Sequence, residues 1–336
     1  MSRPHTSPKA GWSGVQTAAV LILCRLAAFF CAEQPYSAAY AKGMLVASVL
    51  TAGLLLPLLI SPQEPLPDAV IPLYRVFALL WGALTLARLY LLLTALRSPF
   101  PLLTLFLLIP VLLEMQRLPQ AAAARAASLL LFVAAAAFLL LPVSGIRTAR
   151  PVFLYASDSA GAAFLREFQA CGELALLPLL RCREASPFAV SRGAAAWLTF
   201  RAVILPLTVL FGTMQNGRLM QLAGNPFFLL LARTPLSDAL RTDGFWMLLA
   251  VGSTVLCLTV FLQFAADSVS DSLLRYGIFL PFCGFALLFV KIPESAAVLG
   301  IAALLTGIGI PWLLRLRTVF QRLRRPLRAL FLRRHE

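Results

Sequence analysis

Gly161-Ala162-Ala163-Phe164-Leu165-Arg166-Glu167-Phe168-Gln169-Ala170-Cys171-Gly172-Glu173-Leu174-Ala175-Leu176-Leu177-Pro178-Leu179-Leu180 is an apolar tract of membrane-spanning length, interrupted near its middle by Cys171-Gly172-Glu173. A helix needs about 20 predominantly apolar residues to cross ~30 Å of hydrocarbon. An ionisable side chain placed mid-span costs about 3 kcal/mol on insertion scales, so it faces a cavity or a partner. Gly172, beside Glu173, lowers helix propensity by about 1 kcal/mol relative to Ala and favours a break there. Transporters use broken helices of this kind because the freed backbone N–H and C=O groups bind the charged ends of a substrate.

Comparable tracts recur between Val15 and Leu314. The 336 residues are 60% hydrophobic and 13% charged, with a mean hydropathy of +0.85, whereas soluble domains carry about 25% charged residues. No water-soluble core of this length hides so much apolar surface, and an all-α polytopic membrane protein of about ten transmembrane helices is expected. Read between Pro, Gly and charge clusters, the helices fall at 14–31, 40–60, 71–96, 100–114, 121–142, 161–181, 194–213, 244–266, 273–291 and 296–315. Residues 1–13 form a short cytoplasmic segment, 14–315 the membrane domain, and 316–336 a basic amphipathic tail. The first apolar run ends at Cys31-Ala32-Glu33-Gln34-Pro35 without an Ala-x-Ala-like cleavage site, so it reads as a retained span. Within the membrane domain, 214–243 alternates apolar stretches with Asn225-Pro226, Pro235 and Asp238, and is expected to lie at the outer interface.

Basic residues set the orientation. With the N-terminus cytoplasmic, sixteen Lys and Arg fall on inner segments and eight on outer ones, half of the inner set coming from the tail. The net charge of +15 is dispersed through loops except for the tail cluster, which follows directly on a span. Anionic lipid at the tail, and not nucleic acid, is the expected counter-charge.

The six cysteines show no Cys-x-x-Cys spacing and no disulfide framework, and the two histidines, His5 and His335, sit at the chain ends. No zinc, haem or Ser-His-Asp chemistry, and no cofactor, is expected. The spans also lack paired carboxylates of the kind an intramembrane enzyme uses, so binding or transport is expected rather than catalysis.

Arg25 in the first tract is a candidate partner for Glu173. At 1.5 Å per residue, Arg25 lies roughly 16 Å from the inner end of helix one and Glu173 roughly 18 Å from the outer end of helix six. The depths sum to about the ~30 Å core, so the two meet near the midplane. They form either an ion pair that serves packing alone or two flanks of a ligand carrying both a carboxylate and an amine. Cys24 and Leu26 beside Arg25, Gln169, Ala170, Cys171 and Gly172 before Glu173, and more weakly Tyr90, Ser253 and Thr254, complete the candidate ligand-binding set. Ser and Thr in membrane helices more often bond their own backbone or a neighbouring helix. Arg88 is expected to snorkel to the outer surface.

In these residues the chain resembles the spore-germination permease-like proteins, the B subunits of bacterial germinant receptors, within the amino acid/polyamine/organocation transporter group. The resemblance covers most of the length. It rests on the ten-span layout, on Phe168-Gln169-Ala170-Cys171-Gly172-Glu173-Leu174 as a Phe-x-x-x-Gly-Glu-Leu pattern, and on Asn225-Pro226, Ala232-Arg233 and Ser237-Asp238 between helices seven and eight. Asn225 and Ser237 stand where the family tends to show Phe and Gly. The resemblance implies an inverted five-plus-five repeat with discontinuous helices 1 and 6. It also implies a small nutrient such as an amino acid as ligand, A-type and C-type receptor subunits as partners, and a cell membrane or inner spore membrane location. A proton- or sodium-coupled amino acid permease is the other reading of the same residues.

Overall fold

Ala and Leu, which dominate the apolar tracts, are strong helix formers, and in hydrocarbon a helix is the simplest way for a backbone to satisfy its own N–H and C=O groups. The computed structural model describes residues 11–31, 36–60, 66–96, 100–145, 149–154, 160–182, 188–217, 219–222, 225–227, 243–267, 277–292 and 294–318. Among them the regular structure is helical, without strands.

We number the main helices α1 (Gly14–Phe30), α2 (Ala38–Ile60), α3 (Ile71–Ala95), α4 (Pro101–Arg117), α5 (Gln120–Gly145), α6 (Ala160–Gln169), α7 (Leu176–Arg181), α8 (Ala189–Asn216), α9 (Asp243–Ala265), α10 (Phe279–Lys291) and α11 (Ser295–Thr318). Six helical stretches are long and apolar enough to cross a membrane: α2, α3, α8 and α11 whole, Gln120–Leu139 of α5 and Phe245–Ala265 of α9; α1 and α10 are shorter apolar helices. Large apolar side chains such as Val49, Leu56, Phe132, Leu139 and Leu248 point outward. This is the surface of a multi-pass membrane protein, with lipid as its outer solvent. The short fourth tract does form a helix, α4, of 17 residues with Pro110 inside it.

At the centre stands α1. Its start is fixed by a capping box, in which the Gln16 N–H donates to Ser13 Oγ (3.3 Å) and the Ser13 N–H to Gln16 Oε1 (3.0 Å). From Thr17 to Phe30 every residue is buried, enclosed by α5, α8 and α9. The approach to α8 is close because Gly193 faces it: a Cβ there would lie 2.6 Å from Thr17 Cβ and 2.7 Å from the Gly14 carbonyl oxygen. Small residues at such crossings let helices pack where lipid offers no hydrophobic drive for association. The expected discontinuity of the first helix is not present; α1 is continuous. Between Gly14 and Phe30 the chain has no further Gly and no Pro, so nothing in it opposes the helix.

The sixth tract breaks where the sequence indicates, α6 ending at Gln169 and α7 starting at Leu176, with one 3₁₀ turn, Gly172–Ala175, between them. α2 packs along α6, α11 covers both α6 and the 3₁₀ turn, and α3 lies against α9 and α10. Most of the expected interfacial segment 214–243, including Ala232, Arg233, Ser237 and Asp238, lies outside the described residues, as do 1–10 and the tail beyond Thr318. The described piece Asn225–Phe227 turns into the bundle. Asn225 Nδ2 donates to the Phe30 carbonyl at the end of α1 (2.9 Å), and the Phe227 ring packs against those of Phe30 (4.8 Å) and Trp246 (5.2 Å).

Candidate functional site

The break in the sixth tract frees the Ala170 carbonyl. In a continuous helix the Ala170 carbonyl would accept from the Leu174 N–H, but that N–H donates to Cys171 instead (3.1 Å), tightening the chain into the 3₁₀ turn. The Ala170 oxygen is taken up by α1, where Arg25 Nη1 donates to it at 2.9 Å. Glu167 lies one helical turn before Ala170 and so on the same face. Its carboxylate pairs with Arg25 Nη2 through one oxygen and with Arg201 Nε through the other, the latter at 3.0 Å.

Arg201 comes from α8, inside a π-helical turn, Phe200–Ile204. Such turns widen the helix locally and recur at functional sites. Its Nη1 donates to Thr51 Oγ1 of α2 (3.3 Å), and its guanidinium lies 5.6 Å from the Trp197 ring centroid. Arg25, Glu167 and Arg201 are each at most 1% exposed. One carboxylate between two guanidiniums thus ties α1, α6 and α8 together, and α2 through Thr51. Charged groups so far from water persist only when paired and hydrogen-bonded.

Arg25 therefore pairs with Glu167 and not with Glu173, because its two Nη groups are used by the two acceptors that share a face just before the break. Glu173 is 1% exposed, lies within electrostatic reach of Arg25 and Arg201, and has one carboxylate oxygen, Oε1, without a hydrogen-bond partner among the described residues. Beside it, Gly172 meets the indole of Trp81 from α3: a Cβ on Gly172 would fall 1.7 Å from Trp81 Cε2. Only glycine lets the indole lie this close to the break. The Arg88 guanidinium lies 5.6 Å from the same ring. Arg88 thus does not snorkel toward the end of α3. Its side chain leans back toward the helix N-terminus, as helical side chains do.

The other candidates divide. Ala170, Cys171, Gly172 and Glu173 form the break itself, with the Cys171 thiol donating to the Glu167 carbonyl (2.9 Å). Leu26 and Cys24 are buried in the core. Ser253 and Thr254 both donate to the Ala250 carbonyl of their own helix (3.0 and 2.7 Å), and Thr254 also meets Cys31 Sγ at 3.8 Å. Tyr90 is half-buried, its contact being local, with the Thr94 hydroxyl donating to its carbonyl. Gln169 ends α6, and its side chain lies outside the described residues.

Sequence reasoning missed Glu167, Thr51 and Trp81, and gave Arg201 no role beyond being a polar residue in a span. The signal for Glu167 was a count of charges. Two arginines inside spans need an acid, and the sixth tract offers Glu167 as well as Glu173. Among the described residues no group of three or more His, Cys, Asp or Glu side chains is placed to hold a metal ion. No family model, curated protein or solved structure matches this chain. The fold and the buried charges define a class: a multi-pass helical membrane protein with a charged cluster buried around one broken helix.

Proposed function

We propose that this chain binds a small zwitterionic nutrient, an amino acid or a similar molecule, inside its membrane domain, as the B-type subunit of a spore germinant receptor. The observation that carries the reading is the break at Cys171-Gly172-Glu173, where a buried carboxylate has one oxygen without a partner among the described residues. Membrane proteins hold such groups at midplane for ligands. The sequence resemblance supplies the biological frame: about ten spans in an inverted five-plus-five arrangement, with α6 and α7 as the halves of one discontinuous span. A-type and C-type subunits are its partners, and anionic lipid lies under the tail. The ligand signals by binding two conformations unequally, since equal binding shifts no population. Nothing in this role requires bond chemistry.

Detergent-purified protein screened against the standard amino acids tests this. A rise in melting temperature with one or a few of them, lost in Glu173→Ala, is the expected result; no rise with any of them overturns it. A second reading, a proton- or sodium-coupled amino acid permease, is favoured by the unpartnered Glu173 Oε1, which offers a place for a proton or cation. Uptake of a labelled amino acid into proteoliposomes, dependent on an ion gradient, is the outcome that selects it.

A further inference from the structure

The sequence offers Arg25 and Glu173 as the flanks of a ligand, but Arg25 is engaged by Glu167 and the Ala170 carbonyl. We infer that Arg88 and Trp81 of α3 form a carboxylate-binding subsite, with the guanidinium as anchor and the indole as the lid that a ligand displaces to reach Glu173.

Arg25 and Arg201 share the Glu167 carboxylate and are nearly inaccessible. Arg88 differs in two ways. Among the described residues it has neither an ion pair nor a hydrogen bond to its guanidinium, its contact being the Trp81 ring. It is also only partly buried as a residue. A guanidinium with free donors matches a carboxylate through two parallel hydrogen bonds. The Trp81 indole lies against both Gly172 and Arg88. Arg88 also lies within electrostatic reach of Glu173, whose Oε1 is unpartnered at 1% exposure. The indole thus contacts both the guanidinium, a donor suited to a carboxylate, and the glycine next to Glu173, an acceptor suited to an ammonium group. In this subsite a molecule carrying both groups displaces the ring as it bridges them. This assigns the ends of the ligand, and it rests on the proposed reading in placing that ligand at the break.

Two probe sets test it on the full-length protein in detergent: the standard amino acids, and the simple monocarboxylates acetate, propionate and butyrate, which lack the amine. Arg88→Gln should still fold and melt close to wild type without ligand, since it removes the Trp81 ring contact but no hydrogen bond among the described residues. It should weaken binding of any stabilising amino acid or monocarboxylate about tenfold or more. Arg88→Lys, which keeps the charge but not the fork, should fall between, and Trp81→Phe should bind more tightly than wild type. Amino acid binding retained in full by Arg88→Gln overturns the subsite while leaving the proposed function standing. Monocarboxylate binding that Arg88→Gln abolishes, without any amino acid binding to wild type, supports the subsite and overturns the proposed function. Silence of both probe sets on wild type overturns both.

Discussion

Glu167 is the side chain on which the buried cluster depends. Its two oxygens serve two guanidiniums that have no other acidic partner in the structure described, so Glu167→Gln leaves a pair of arginines facing each other in the dry interior. Breaking a buried pair from one side costs about 3–5 kcal/mol. A marked fall in the melting temperature of purified Glu167→Gln protein is expected. Glu173→Gln should cost less than Glu167→Gln, because Oε1 makes no hydrogen bond to lose among the described residues. Equal destabilisation by the two substitutions would show that Glu173 also serves the fold. The same contrast explains what the sequence concealed. Gly172 announces a break, and Glu173 beside it draws attention as the intramembrane acid. Which acid meets Arg25 depends on a 3₁₀ turn that redirects the chain after Cys171, and on the face that Glu167 and Ala170 share before it.

At the level of elements, the interrupted sixth tract and the intact first one follow from opposite local chemistry. The sixth tract has Gly172 and Pro178 within it, whereas α1 is a run of Ala, Leu, Ile and aromatic residues with no breaker, so the family expectation of two broken helices gives way to local propensity. Most helix positions were legible in the apolar runs, including the short fourth tract. The π-helical turn that carries Arg201 was not, because no residue type marks it. The break also has a steric requirement. Gly172→Ala places a methyl group inside the Trp81 ring, and overpacking of this kind typically costs about 1–3 kcal/mol. Trp81→Ala in the same chain should recover most of that loss, a coupling that a double-mutant thermal-melt cycle measures directly. Additive losses would mean that the indole and the break do not touch.

For the whole molecule, orientation is the property most open to a simple check. Cys182, just beyond α7, is exposed, whereas Cys24, Cys31, Cys171 and Cys257 are buried. With the N-terminus inside, an impermeant maleimide should modify Cys182 in permeabilised cells and leave it unmodified in intact ones, Cys182→Ala supplying the control. Labelling of intact cells reverses the assignment and every loop with it. The bundle is assembled around α1, and that has a consequence for how the chain is made. Arg25 leaves the ribosome 142 residues ahead of the glutamate that neutralises it. During that interval α1 waits at the translocon with a bare cation, and its enclosing neighbours α8 and α9 are translated later still. A nascent chain that stalls before Glu167 therefore displays an orphan charge to the cell's membrane quality control, and completion of the sixth tract withdraws that signal.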